Sequence, residues 1–133
     1  MQLHARRFPG RPEHIRTARR FVAAALAAWP DAQAAAQLLV SEVVTNAIVH
    51  SASGYQDGSV EVRYVLDGHE VLVEVLDAGG ATQPSRHGEY PEAGAVSGRG
   101  LALVEALASS WGVRDHQTGR VVWFRLPLRT RSQ

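Results

Sequence analysis

The sequence predicts an α+β fold, with helices on one face of a mixed, mainly antiparallel sheet. Three observations predict it. Two stretches near the start, Glu13 to Trp29 and Ala32 to His50, repeat apolar residues at helical spacing. Val60–Leu66 and Val71–Leu76 alternate apolar with polar residues around Asp67-Gly68, the pattern of a β-hairpin. The order helix, strand, strand then returns in Leu101 to Ser109, Trp111–Asp115 and Val121–Leu126. Helices that segregate from adjacent paired strands make a two-layer sandwich.

Each element has a local reason. Leu3 to Phe8 reads as a short edge strand, broken by Pro9, Gly10 and Pro12. In the first helix Ile15, Ala18, Arg19, Val22, Ala25 and Leu26 recur at helical spacing, and alanine favours the conformation. Pro30 stops it, and Asp31 is expected to cap the next helix. Leu38, Leu39, Val43, Ala47 and Ile48 form that second helix's buried face. Ser51 to Ser59 is a turn region. Asp77 to Ser97 has no periodicity and is rich in Gly, Ala, Pro and Ser, and a loop of that length is usually functional or mobile. Gln117-Thr118-Gly119 reads as the last turn.

With 133 residues the chain is expected to be one domain spanning 1–133, large enough to bury a core without staples. Hydrophobic residues make up 45% and charged residues 20%, a globular balance. There is no cysteine, which excludes disulfides, thiolate zinc sites and cysteine nucleophiles and fits a cytoplasmic location. All 14 basic residues are arginine. Without lysine there is no Walker-A loop, kinase strand lysine or Schiff base. A net charge of +1 gives no reason to expect direct nucleic-acid binding. No uninterrupted apolar run approaches the length of a membrane span, so none is expected.

Three constellations carry possible chemistry. Glu42, Asn46 and His50 stand at i, i+4 and i+8 on one helix face, beside Val43, Ala47 and Ile48. An Asn carbonyl oxygen can ligate magnesium, and a carboxylate one turn away can serve as a general base. Asp77 ends a strand before Gly79 and Gly80; its carboxylate can accept from an exocyclic amine, and glycine permits close approach of a ligand. Gly98-Arg99-Gly100 leads into a helix N-terminus, where free N–H groups and the helix dipole suit phosphate. Taken singly, each has a commoner reading: a solvated helix face, an Asp-Gly turn, a flexible helix start. A Rossmann site is disfavoured, because no strand precedes the glycines and the third glycine is missing.

In their order and spacing the three resemble the motif boxes of the ATPase family shared by DNA gyrase, MutL and the sensor histidine kinases, the GHKL or Bergerat-fold family. Glu42-x-x-x-Asn46-Ala47-x-x-His50 resembles the N box, Asp77-x-Gly79 the G1 box, and Gly98-x-Gly100-Leu101 the G2 box. Gly119 to Pro127 resembles the last strand, and the loop before Gly98 stands where the family has its ATP lid. The small size, Arg16 to Phe21 and the stretch from Gly98 to Val113 narrow the resemblance to the stand-alone anti-sigma-factor serine/threonine kinases of bacteria.

That resemblance implies ATP and Mg2+ as cofactors. It implies Asn46 as magnesium ligand, Glu42 as catalytic base, and Asp77 and Gly79 at the adenine. Gly98, Arg99, Gly100 and Leu101 would close over the phosphates, and the lid offers Arg86, His87 and Arg99. The implied activity is phosphorylation of an anti-sigma-factor antagonist of the STAS type on serine or threonine, alternating with sequestration of a sigma factor. A homodimer is implied by analogy. The alternative is a nucleotide-dependent interaction module with weak or no kinase activity. One departure stands out: where relatives often carry threonine after the glycine that opens the last strand, this chain has Arg120-Val121.

Overall fold

The computed structural model describes residues 2–50, 58–78, 98–116 and 119–129, with the backbone alone at 50, 78, 98–101 and 116. The described elements are β1 (Leu3–Pro9), a single 3₁₀ turn (Pro12–His14), α1 (Ile15–Ala24), α2 (Pro30–His50), β2 (Ser59–Leu66), β3 (Glu70–Ala78), α3 (Gly98–Leu107), β4 (Ser110–His116) and β5 (Gly119–Pro127). The strands form one sheet in the order β1-β2-β3-β5-β4. All four pairings among the described residues are antiparallel. The α+β expectation is thus met.

Around the first two helices, two boundaries differ from the sequence reading. The first helix stops at Ala24 rather than Trp29. Beyond it, N–H groups bond three residues back, Ala25 to Val22, Leu26 to Ala23 and Trp29 to Leu26, so the chain tightens and reverses before Pro30. Proline also disfavours helical backbone at the residue before it. Pro30 is itself the first residue of α2, a position where its missing N–H costs nothing, so Asp31 lies inside the first turn and is not the cap. Its charge still suits a helix N-terminus. The Asp67-Gly68 hairpin is as expected. Gly68 takes φ 92°, and the Asp67 carboxylate accepts from the N–H groups of His69 and Glu70, both at 2.8 Å.

One sheet face carries the core. Val60, Val62 and Tyr64 of β2, Val71, Val73 and Val75 of β3, and Val122, Phe124 and Leu126 of β5 are buried there at period two. They meet Ala36, Leu39, Val40, Val43, Val44 and Ala47 of α2, with Val22 of α1 and Val104 of α3. Phe21 of α1 completes an aromatic group with Phe8 and Tyr64, at centroid distances of 6.0 and 5.1 Å. By length and composition the segment Pro30–Val49, with a mean hydropathy of 1.2, is apolar enough to cross a membrane. Its fully buried stripe against this sheet accounts for that apolarity.

The opposite face carries a ladder of charges. Arg7 pairs with Glu61 at 3.2 Å, Glu61 with Arg63 at 3.0 Å, Arg63 with Glu74 at 3.7 Å, and Arg114 with Glu74 at 2.7 Å. Partial burial of Glu61 opposes its ionisation, but hydrogen bonds and charge attraction from Arg63 and Arg7 outweigh it and hold the carboxyl below its ordinary value of 4.5. A depressed folded value means that this stabilisation is fully present above 4.5 and is lost as pH falls through the lower folded value. Glu61→Gln is therefore expected to flatten the acid limb of a stability-versus-pH curve measured by denaturant unfolding. An unchanged acid limb would show that the ladder contributes nothing.

Candidate functional site

Among the described residues only two polar or charged side chains are buried: Asn46 and Asp77, each 8% exposed. Both are residues that the sequence assigned to a ligand. Asn46 lies on α2 between the buried Val43 and Ala47. Asp77 follows Val73 and Val75 on the same face of β3, the face on which α2 packs. It is the point at which that strand's apolar row ends in a carboxylate. Burying an amide and a carboxylate costs several kcal/mol, by order of magnitude, unless partners compensate. Asp77 is engaged in the structure rather than free.

Glu42 sits one turn before Asn46 and is half-buried. Among the described residues it enters no ion pair. Its neighbours are tied down otherwise. Ser41 Oγ donates to the Gln37 carbonyl at 2.9 Å, Thr45 Oγ1 to the Ser41 carbonyl at 2.6 Å, and Arg19 Nη1 to Ser41 Oγ at 3.3 Å. The hydroxyls of Ser41 and Thr45 thus turn back to the helix backbone.

The glycine turn is placed differently from the sequence reading. Gly98, Arg99 and Gly100 are the first three residues of α3, and Leu101 continues it. The opening N–H groups of any helix lack intrahelical acceptors, so the expected anion-binding end moves three residues earlier. Gly79, Arg86 and His87 lie outside the described residues. His50 closes α2, where only its backbone is described.

The sequence reading has Gly119 both as the end of a turn and, by resemblance, as the start of the last strand; it opens β5. Its closeness to Asp77 was missed. A Cβ built there would fall on the Asp77 carbonyl oxygen and lie 3.4 Å from Asp77 Cβ. The glycine is required for space, so that β5 can close against the backbone of Asp77. The available signal was a glycine directly before a strand pattern, which a turn explains equally well.

No group of three or more His, Cys, Asp or Glu that could hold a metal occurs among the described residues.

A five-stranded antiparallel sheet under helices, with a buried amide on the central helix and a buried carboxylate at a strand end, is the arrangement expected of the ATPase class named above. The comparison with known families matches a histidine kinase-like ATPase domain over residues 8–126, and the chain belongs to that family. Such a domain implies ATP binding. Blue-light-activated histidine kinase 2 of Erythrobacter litoralis is 34% identical over 93 residues, covering 68% of this chain and 26% of that protein. Serine-protein kinase RsbW of Listeria monocytogenes is 31% identical over 80 residues, covering 53% of this chain and 51% of the kinase. RsbW of Listeria innocua matches to the same extent. The chain thus spans about half the length of the RsbW relatives and about a quarter of the histidine kinase.

Proposed function

We propose that this chain binds ATP with magnesium and acts as a serine/threonine protein kinase. It would phosphorylate an anti-sigma-factor antagonist and, in its other state, sequester a sigma factor. The observation that carries the nucleotide reading is the burial of Asn46 and Asp77 alone among polar side chains in the described residues. Both residues belong to the boxes that resemble those of the ATPase family, and both are buried beside the apolar core that α2 and the sheet share. The kinase reading draws on the serine-protein kinases among the relatives, and the partners on the resemblance to anti-sigma kinases.

In this reading the Asn46 side-chain oxygen ligates magnesium, and Asp77 accepts from the adenine amine. Gly79 lets the base lie close to the chain. The N–H groups of Gly98, Arg99, Gly100 and Leu101 face the phosphates at the start of α3. Bound MgATP supplies the transferable γ-phosphoryl group and the positive charge that offsets its oxygens. Glu42 takes the proton of the attacking serine hydroxyl, or of water, as the new bond to phosphorus forms. A nucleotide-dependent interaction module would keep all of these contacts except the last.

Asn46→Ala tests the binding claim. A hydrogen bond or ligand bond to a charged group contributes about 1.5–3 kcal/mol, so MgATP affinity is expected to fall roughly 10- to 150-fold. Titration calorimetry with thermal unfolding of the same samples reads it. An Asn46→Ala variant that stays folded and binds MgATP like the parent would remove Asn46 from the site. Copurification from the native cell then identifies the partners, and transfer of labelled phosphate to a serine of a candidate antagonist separates the kinase from the module.

A further inference from the structure

One cross-strand row runs the width of the sheet on its helix-facing side. Phe8 opposes Val60, Val60 opposes Asp77, and Arg120 opposes Asp115. Leu76 pairs with Val121, so the next step of the same antiparallel register sets Asp77 beside Arg120. The row therefore reads Phe8, Val60, Asp77, Arg120, Asp115, with one guanidinium between two carboxylates. The row next to it is apolar at Val62, Val75 and Val122. Directly opposed side chains of adjacent strands interact.

The two flanking carboxylates are unequal. Asp115 Oδ1 is 3.7 Å from Arg120 Nε, but the Asp115 side chain is 88% exposed, and such a surface pair holds an arginine weakly. The Arg120 side chain is only 18% exposed, and Asp77 is buried. Both are engaged in the structure. A Cβ at Gly119 would fall on the Asp77 carbonyl oxygen, so β5 lies against the Asp77 backbone at the residue next to Arg120. A carboxylate alone at the base end of a purine site selects against guanine: it accepts from an exocyclic amine and repels a carbonyl oxygen at the same place. A guanidinium beside it supplies the donors that guanine O6 and N7 require.

We propose that Arg120 determines base specificity at this site, so that the acceptor–donor pair Asp77–Arg120 admits guanine nucleotides alongside adenine nucleotides. The inference rests on the nucleotide-binding reading above. Its test compares MgATP and MgGTP binding by calorimetry in the parent, Arg120→Thr and Arg120→Lys, with thermal unfolding to confirm that each is folded. The parent is expected to bind the two nucleotides within about tenfold of each other. Arg120→Thr is expected to weaken MgGTP about tenfold or more while changing MgATP by no more than about threefold, because a bidentate arginine contact discriminates by about 1–3 kcal/mol. Arg120→Lys, which keeps the charge without the planar fork, is expected to weaken MgGTP less than Arg120→Thr does and serves in its place should the threonine variant not fold. MgATP binding with the same ATP-to-GTP ratio in the parent and the folded variants overturns the role of Arg120 alone. A folded parent that binds neither nucleotide overturns the nucleotide reading and this inference together.

Discussion

Gly119→Ala is expected to abolish nucleotide binding and to lower stability by about 1–3 kcal/mol, the usual cost of forcing an extra carbon into a filled space. The added Cβ would meet the backbone carbonyl of Asp77, and a backbone atom cannot rotate aside. Relief requires β5 to part from β3 at this end. From Leu76↔Val121 onward the register can persist, so the sheet is retained while the Asp77 carboxylate is displaced. Gly112→Ala is the matched control. Its Cβ would meet the Trp123 ring at 2.8 Å, a close contact with a side chain and not with the Asp77 backbone. That variant is expected to lose stability and keep nucleotide affinity. Calorimetric binding and thermal unfolding of the two variants side by side decide the matter: equal affinity loss in both would mean that sheet stability, not the placement of Asp77, governs the site.

This pair of glycines shows what the sequence can and cannot express. The β2–β3 hairpin was legible because a period of two and an Asp-Gly turn are local signals, and Asp67 and Gly68 act within four residues of one another. The core face of α2 was legible in part: Leu39, Val43 and Ala47 are buried and Ile48 partly so, but Leu38, read onto the same face, is 42% exposed. Asn46 and Asp77 stood out as polar residues among apolar ones, and the structure buries both. The requirement at Gly119 was not legible. Its cause is the Asp77 carbonyl on another strand, forty-two positions away by sequence number (119 minus 77). Alanine content argued for a longer first helix, but the reversal into Pro30 overrides propensity once the chain must turn back onto α1. The row containing Asp77, Arg120 and Asp115 appears only when strands distant in sequence are set in register.

The roles proposed for α2 separate into binding and chemistry, and Glu42→Gln is the variant that separates them. Glutamine keeps the length, the shape and the helix propensity of glutamate but cannot take up a proton at neutral pH. Glu42 is half-buried and makes no ion pair among the described residues, so the exchange breaks no structural contact described there. Stability and MgATP affinity are expected to stay near those of the parent. The rate of phosphoryl transfer to an antagonist serine, or to water, is expected to fall about 10²- to 10⁴-fold, the range contributed by a positioned general base. Labelled-phosphate transfer under single-turnover conditions measures the chemical step apart from product release. A Glu42→Gln variant that transfers phosphate at the parental rate would dismiss Glu42 as the base while leaving Asn46 and Asp77 as binding residues. A parent that binds MgATP tightly and transfers phosphate to no acceptor would favour the interaction module. In that case the burial of Asn46 and Asp77 would serve nucleotide sensing, with ATP acting as a ligand that selects between partner-bound states and not as a phosphoryl donor.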